Sequence, residues 1–252
     1  MSVWEGAALI GAGLAAGTIN TIVGSGGLIA FPVLLTFGYS PLVANTTQTL
    51  GLLPGSLSGA IGYRRELRGQ MGRTLRLGIA SLLGGVTGAL LLFALPAAAF
   101  RAIVPILIAL AVLLIIFQPR LTHRLNTRQS GPELPGWLKP LALYACGIYG
   151  GYFGAAQGVL LIATLTTLIS GDLQRLNAIK NVLAVLANLV AAIVFLWIGK
   201  VALLPALLIA IGAIIGGQVG ASIGRCIPPT LLRVVIVVVG IIAILILVMG
   251  RL

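Results

Sequence analysis

The sequence predicts an all-α polytopic membrane protein, and three observations support this fold class. First, 59% of the 252 residues are hydrophobic and only 8% are charged, whereas soluble domains carry about 25% charged residues. Second, the charges cluster and leave uncharged stretches such as 77–100 and 201–224, long enough to cross a hydrocarbon core of about 30 Å. Third, these apolar runs lack the alternation of barrel strands. The small polar surface excludes a soluble enzyme, a disordered chain and a disulfide-framed domain.

Clusters of glycine, proline and charge divide the chain into about eight transmembrane segments. We place these segments at 3–38, 42–62, 74–95, 99–117, 141–170, 174–198, 202–223 and 229–250. The strongest breaks between them are the charged stretches 63–73, 118–140 and 225–229. The first and fifth segments are too long for one simple crossing, and each contains a glycine-rich interruption, at 24–27 and at 150–158.

The two interruptions predict a four-plus-four internal repeat in which the first helix of each repeat is broken. Gly27 matches Gly158 at an offset of 131 residues, and the stretch 44–49 matches 176–181 at an offset of 132. We therefore assign 1–117 to the first membrane repeat and 141–252 to the second, joined by a basic cytoplasmic connecting loop at 118–140. Glycine-interrupted segments in corresponding positions of two halves are typical of secondary transporters.

The distribution of Lys and Arg predicts which loops face the cytoplasm. The 63–73 and 118–140 loops carry four basic residues each, and such loops remain cytoplasmic. Two topologies fit this orientation. If every segment crosses once, both termini are cytoplasmic; if each broken segment re-enters, the halves are inverted and both termini lie outside.

The glycine-rich interruptions are the first candidate binding site. A helix broken inside lipid exposes backbone groups, which is tolerated only where they are buried in protein or line a polar cavity. The half-helix that follows points N–H groups and a positive dipole end at this place, which favours an anion. We predict two facing anion cradles, and their residues are Ser25, Gly26, Gly27, Gln157 and Gly158. The alternative is close helix packing through small residues.

A second candidate set follows each interruption at the start of the next helix. Its members carry amide, hydroxyl or ammonium donors, and they are Asn45, Thr46, Gln48, Asn177, Lys180 and Asn181, with Tyr152 added from the second interruption. Lys180 aligns with Gln48 and precedes 19 uncharged residues, and a charge at bilayer depth is usually functional. The alternatives are capping and interhelical hydrogen bonds for the amides and hydroxyls, aromatic packing for Tyr152 and snorkelling to the interface for Lys180.

The acidic residues favour an anionic substrate by their positions. All four lie at segment ends or in loops, so no carboxylate is placed at mid-membrane to bind a cation or relay a proton. The single histidine, His123, lies in the basic connecting loop, so a membrane-embedded serine has no base to activate it. We expect no enzyme activity, no cofactor, no metal and no nucleic-acid partner. Coupling to protons or sodium and a homodimer stay open.

The glycine and asparagine motifs resemble the sulfite exporter TauE/SafE family, also called the 4-toluene sulfonate uptake permease family. The similar stretches are GTINTIVGSGGLIAFP at 17–32, ANTT at 44–47, GGYFGAAQG at 150–158 and NAIKNVLA at 177–184. The resemblance implies a plasma (inner) membrane, multi-pass permease for sulfite, sulfonates, sulfoacetate or related organic acids, in either direction. The hypothesis is an alternating-access secondary transporter of a small anion. The alternatives are a passive anion channel, a transporter of non-sulfur organic acids and an accessory membrane subunit.

Overall fold

The computed structural model describes residues 2–127, 137–169, 172–198, 200–224 and 229–249. Within these residues the regular elements are ten α-helices and no strand, so the all-α prediction is confirmed. The helices are α1 Val3–Ile22, α2 Gly27–Thr36, α3 Pro41–Gly62, α4 Met71–Ala94, α5 Ala97–Thr127, α6 Leu138–Tyr152, α7 Gln157–Leu168, α8 Leu173–Ile198, α9 Leu203–Ile223 and α10 Pro229–Val248.

The first and fifth predicted segments are each two helices. Residues 23–26 separate α1 from α2, and residues 153–156 separate α6 from α7. The backbone turns through left-handed conformations at these places, with φ of +84° at Gly24 and +75° at Gly154, which glycine adopts without a steric cost. Ala156 also has a positive φ, of 59°. The glycine-rich stretches therefore break the helices where the sequence predicts.

The connecting loop begins later than predicted. Helix α5 continues to Thr127 instead of ending at 117, with Pro105 and Pro119 inside it. Arg120 marks the end of its apolar part, but charge ends a membrane segment and not a helix, because Leu, Arg and Gln are good helix formers. Residues 128–136 of the predicted loop lie outside the described residues.

Four of the helices are long and apolar enough to cross a membrane, judged on length and composition. These stretches are Met71–Ala94, Ala97–Arg120, Leu173–Ile198 and Leu203–Ile223. Helices α2 and α7 have 10 and 12 residues and are too short to cross at 1.5 Å per residue. Helix α3 has 22 residues, but its polar run at 45–49 makes it less apolar than these four.

Stripes of glycine bring pairs of helices into backbone contact. A Cβ at Gly13 or Gly17 of α1 would overlap the main chain of Ile209 or Ala213 in α9, so α1 and α9 run parallel. Small residues permit such close approach between membrane helices. Glycines at the α4–α6 and α3–α9 contacts act in the same way, and those helices are also parallel.

The contacts between helices show at which of two opposite faces of the protein each helix begins. Thr47 in the first turns of α3 bonds to Ala202 just before α9, so α1, α3 and α9 begin at one face, which we call the opposite face. Ser81 of α4 bonds to Leu183 of α8, and α4, α6 and α8 begin at the other face. We call this the basic face, because the arginine-rich loop 63–73 lies there. Since α1 and α3 begin at the same face, the chain turns back through α2, as it does through α7.

The first five helices and the last five make matching contacts. Helix α1 packs on α9 as α6 packs on α4, and α3 packs on α9 as α8 packs on α4. The short helices follow the same pattern, with α2 on α10 and α7 on α5. The two interruptions therefore meet between the two sets of helices.

Candidate functional site

The two helix breaks touch through bare backbone. The N–H of Gly158 donates to the carbonyl of Gly24 at 3.0 Å. A Cβ on either glycine would overlap the Cα of the other, so a side chain at either position would push the breaks apart. The two glycine-rich stretches are therefore in direct contact, although these residues lie more than 130 positions apart in the sequence.

Three side chains of α8 converge on the end of α1. The Lys180 ammonium donates to the carbonyls of Thr21 at 3.1 Å and Asn20 at 3.3 Å, and the amides of Asn177 and Asn181 each donate to the Thr21 carbonyl at 3.4 Å. These carbonyls belong to the last turn of α1, where they have no partner within the helix. Side-chain donors from the second half of the chain therefore satisfy these free carbonyls at the end of α1.

Lys180 does not snorkel to the surface. Its side chain is only 1% exposed, and both hydrogen bonds go to uncharged main-chain oxygens. The described carboxylates lie elsewhere: Glu5 caps the start of α1, Glu66 lies in the loop 63–73 and Asp172 precedes α8. Carbonyl oxygens carry only partial negative charge, so these two hydrogen bonds leave the Lys180 ammonium without a counter-ion.

A corresponding hydrogen bond is made to the end of α6. The Asn45 amide donates to the carbonyl of Tyr152 at 2.9 Å, as Asn177 donates to the carbonyl of Thr21 in the other half. The Gln48 amide donates to Asn45 Oδ1 at 3.3 Å, and its side chain lies against the first break. Gln48 thus takes the place that a lysine has in the second half, but it brings no charge.

Two main-chain donors at the breaks, the N–H groups of Gly26 and Gly158, are already bonded within the protein. The N–H of Gly26 donates to Asn20 Oδ1 at 3.3 Å, and the Asn20 amide donates to Ser56 Oγ at 2.9 Å. The N–H of Gly158 is held by the facing break, as described above. Of the predicted cradle, these two N–H groups are therefore not free, and the side chains supply the unpartnered polar atoms.

Several buried polar atoms around the breaks have no hydrogen-bond partner. Leaving such a group unpaired costs about 1–3 kcal/mol, so native proteins contain few unpaired buried polar groups, and several close together call for an explanation. Among the described residues they are Thr21 Oγ1, Ser25 Oγ, Gln48 Oε1, the Tyr152 hydroxyl, both polar atoms of Gln157 and Asn177 Oδ1. These atoms flank the two helix breaks, and each keeps an unused capacity to donate or accept a hydrogen bond.

A small polar cavity lies at the Gly24–Gly158 contact, and of the residues with unpartnered atoms Gln157 lines it. It measures about 10 Å³, which is room for about one water molecule. Its lining includes the polar side chains Asn20, Ser56, Gln157, Lys180, Asn181 and Asn188. The cavity is therefore too small for an anion with several oxygens.

The structure separates the predicted residues into two clusters and leaves one apart. The first cluster lines or adjoins the cavity, and its members are Gln157, Gly158, Lys180, Asn181, Asn177 and the Ser25–Gly27 turn. The second surrounds the end of α6, and its members are Asn45, Gln48 and Tyr152. Thr46 lies apart, because its hydroxyl donates to the carbonyl of Lys200 at the opposite face.

Three cavity residues escaped the sequence-based prediction. Asn188 follows Asn181 by seven residues and so lies on the same face of α8. Asn20 precedes the glycine-rich turn within an apolar helix, which is a recognisable signal. Ser56 offers no such signal, since a serine in a glycine-rich helix is ordinarily a packing residue.

Comparison with known proteins agrees with the resemblance. Residues 9–247 match the family model described as "Sulfite exporter TauE/SafE". The "Probable membrane transporter protein YfcA" of Escherichia coli K12 is 31% identical over 190 residues, covering 74% of this chain and 68% of that protein. A "Probable membrane transporter protein" of Haemophilus influenzae is 30% identical over 189 residues, covering 75% of this chain and 73% of that protein. No solved structure gives a significant match.

Proposed function

Because the chain belongs to the sulfite exporter TauE/SafE family, as its motifs predicted, we propose that it carries small sulfur-containing anions across the plasma membrane. The relatives bear the names of membrane transporters, and the chain is a member of a membrane transporter family. Sulfite, sulfonates and sulfoacetate are the substrates we propose, with the sulfur preference taken from the family description. The observation that carries the anion assignment is Lys180, a buried ammonium at the junction of two broken helices.

We propose that the two halves are inverted repeats in the membrane. In this topology α1–α2 and α6–α7 re-enter from opposite faces and the other six helices cross, which makes eight membrane segments. The matching contacts of the two halves support this topology, as do the corresponding bonds from Asn45 and Asn177 to the ends of α6 and α1. With the basic face in the cytoplasm, both termini lie outside.

Binding of the anion and release of α1 are linked in this proposal. The Lys180 ammonium and the two neighbouring amides now bond to the end of α1. An anion in an enlarged cavity competes for the same donors, since sulfite or sulfonate oxygens carry more negative charge than a carbonyl. The bonds that hold α1 against α8 are then exchanged for bonds to the substrate. This exchange supplies the differential binding that alternating access requires.

Gln157 and Ser25 complete the proposed site. Both polar atoms of Gln157 are unpartnered and buried, and the side chain lies against Gly150. The Ser25 hydroxyl is fully buried and also unpartnered. A tetrahedral or pyramidal oxyanion beside Lys180 satisfies such donors with oxygens that point in several directions. The Gln157 amide oxygen then accepts from a protonated or amine-bearing part of the substrate.

Counterflow in proteoliposomes tests the proposal. Vesicles loaded with unlabelled sulfite, thiosulfate, sulfoacetate, taurine or acetate are diluted into a trace of the same labelled compound. We expect trans-stimulated uptake of at least one sulfur-containing anion and little for acetate. Uptake without trans-stimulation indicates a channel, preference for acetate indicates a carrier of other organic acids, and no uptake of any compound contradicts the transport proposal.

A further inference from the structure

A second cavity, separate from the central site, opens at the opposite face. It has a volume of about 620 Å³ and lies among the starts of α3 and α5 and the connection between α8 and α9. Two exposed basic side chains, Arg101 and Lys200, line it. None of the described residues in its lining is acidic. We propose that this cavity, which we call the vestibule, is a low-affinity capture site for small oxyanions.

The position of these two charges requires a reason. Basic residues near membrane helix ends collect on the cytoplasmic side, and the described arginines at 64, 65, 68, 73 and 76 follow this rule on the basic face. Arg101 and Lys200 are the two described basic residues at the helix ends of the opposite face. Both line the same cavity although they are 99 positions apart in the chain. A capture site for an anion accounts for both features.

The electrostatics of the vestibule favour small anions. Two like charges that share a concave surface focus their field and raise the local concentration of counter-ions. The charged groups are exposed and no carboxylate in the described lining neutralises them, so their field reaches into the cavity and extends over about one Debye length. A volume of 620 Å³ admits a small sulfonate with its water.

A polar run of α3 connects residues of the vestibule with the first helix break. The Thr46 hydroxyl donates to the carbonyl of Lys200, and the N–H of Ala202 donates to the Thr47 hydroxyl. Lys200 and Ala202 both line the vestibule. The polar run that starts there continues along α3 to position 48, whose side chain lies against the first break. The ring of Phe100, next to the vestibule arginine, packs edge-on against Tyr152 with the ring centroids 5.7 Å apart. This aromatic contact joins the start of α5, part of which lines the vestibule, to the end of α6.

The nature of the captured ion rests on the proposed function, but the field of the vestibule can be measured without transport. The Ala97→Cys change places a thiol at an exposed position of the vestibule. The rates of its modification by an anionic and a cationic methanethiosulfonate are recorded in purified protein. Rates of the unsubstituted protein are subtracted for the native cysteines. Ser222→Cys, in the cavity beside Arg64 and Arg65 on the basic face, is the matched control.

We expect the double change Arg101→Gln and Lys200→Gln to slow the anionic reagent at the introduced vestibule thiol by about fivefold and to accelerate the cationic one by a similar factor. The rates at the control position should not change. Millimolar sulfoacetate should slow modification of the vestibule thiol when both basic residues are present but not in the double variant. Taurine at the same concentration and matched ionic strength should not slow it in either protein.

Two results overturn the capture site. One is modification rates that stay the same after both basic residues are replaced, and the other is no protection by sulfoacetate when both are present. Absence of counterflow in the unsubstituted protein, by contrast, contradicts only the proposed function. The two proposals can therefore fail separately.

Discussion

Replacing Lys180 with Met separates anion binding from folding most directly. The change removes a buried ammonium and its hydrogen bonds to Thr21 and Asn20 while keeping an unbranched chain of similar length. A hydrogen bond to a charged group contributes about 1.5–3 kcal/mol, so loss of the ammonium should weaken anion binding by about 10- to 100-fold, at about 1.4 kcal/mol for each factor of ten.

The effect on folding should be smaller. The Thr21 carbonyl keeps the amides of Asn177 and Asn181, and the variant no longer bears the cost of burying a charge. These opposing terms should leave the free energy of unfolding within about 2 kcal/mol of the parent. The Lys180→Gln variant keeps a donor without the charge and matches the residue at position 48, so it separates the two contributions.

Substrate-dependent thermal shift gives the apparent Kd of each variant, and counterflow gives its transport. Lys139→Met, which removes a lysine at the start of α6, is the control for a lost charge outside the cavity. We expect normal affinity in the control and weakened affinity in both Lys180 variants. An apparent Kd for the Met variant within about twofold of the parent value, instead of the loss expected from the missing charge, would refute the assignment of Lys180 to the anion site.

Three further substitutions test the geometry of the breaks and the cavity. Gly158→Ala should abolish counterflow and lower the Tm, because its Cβ would overlap the facing break. Gly72→Ala, with no neighbour within 4 Å, should preserve both counterflow and Tm. Equal behaviour of the two variants would contradict the contact between the breaks. Asn45→Ala should lower the free energy of unfolding by about 1–2 kcal/mol more than Asn177→Ala, since the carbonyl bonded by Asn177 keeps two other donors. Chemical denaturation measures the difference, and a larger loss in the Asn177 variant would contradict this assignment of the hydrogen bonds. Gln157→Leu should weaken substrate affinity while keeping the free energy of unfolding within about 1 kcal/mol of the parent, because both polar atoms of Gln157 lack partners. A thermal-shift titration showing a large loss of stability without loss of affinity would indicate a structural role instead.

The helices and their interruptions could be predicted because their signals are local. Charge-free apolar stretches determine where helices form in lipid, and the glycines at 24 and 154 supply the left-handed backbone that a break requires. The predicted end of α5 is wrong, because charged residues end a membrane segment without ending the helix itself. The family could also be recognised from the two motifs, since the match extends over residues 9–247.

The candidate site could be predicted only in part. Lys180 and Asn181 stood out as polar residues in an apolar helix, and they line the cavity. Whether Lys180 snorkels or is buried depends on the end of α1, which lies about 160 positions away in the sequence. Thr46 looked equivalent to the other polar residues but bonds to Lys200 at the opposite face, because a polar run on one helix faces several different neighbours.

The sequence alone determined that this chain is a helical membrane protein with two broken helices and very few internal charges. Those properties follow from hydropathy, charge and glycine content, which act over a few residues at a time. The tertiary structure decided that the breaks touch, that α1, α3 and α9 begin at one face, and that Lys180 bonds to the end of α1. Such relations depend on which glycine stripes pack together. The stripes recur every four residues in the sequence, but nothing local to a stripe identifies the distant helix on which it packs.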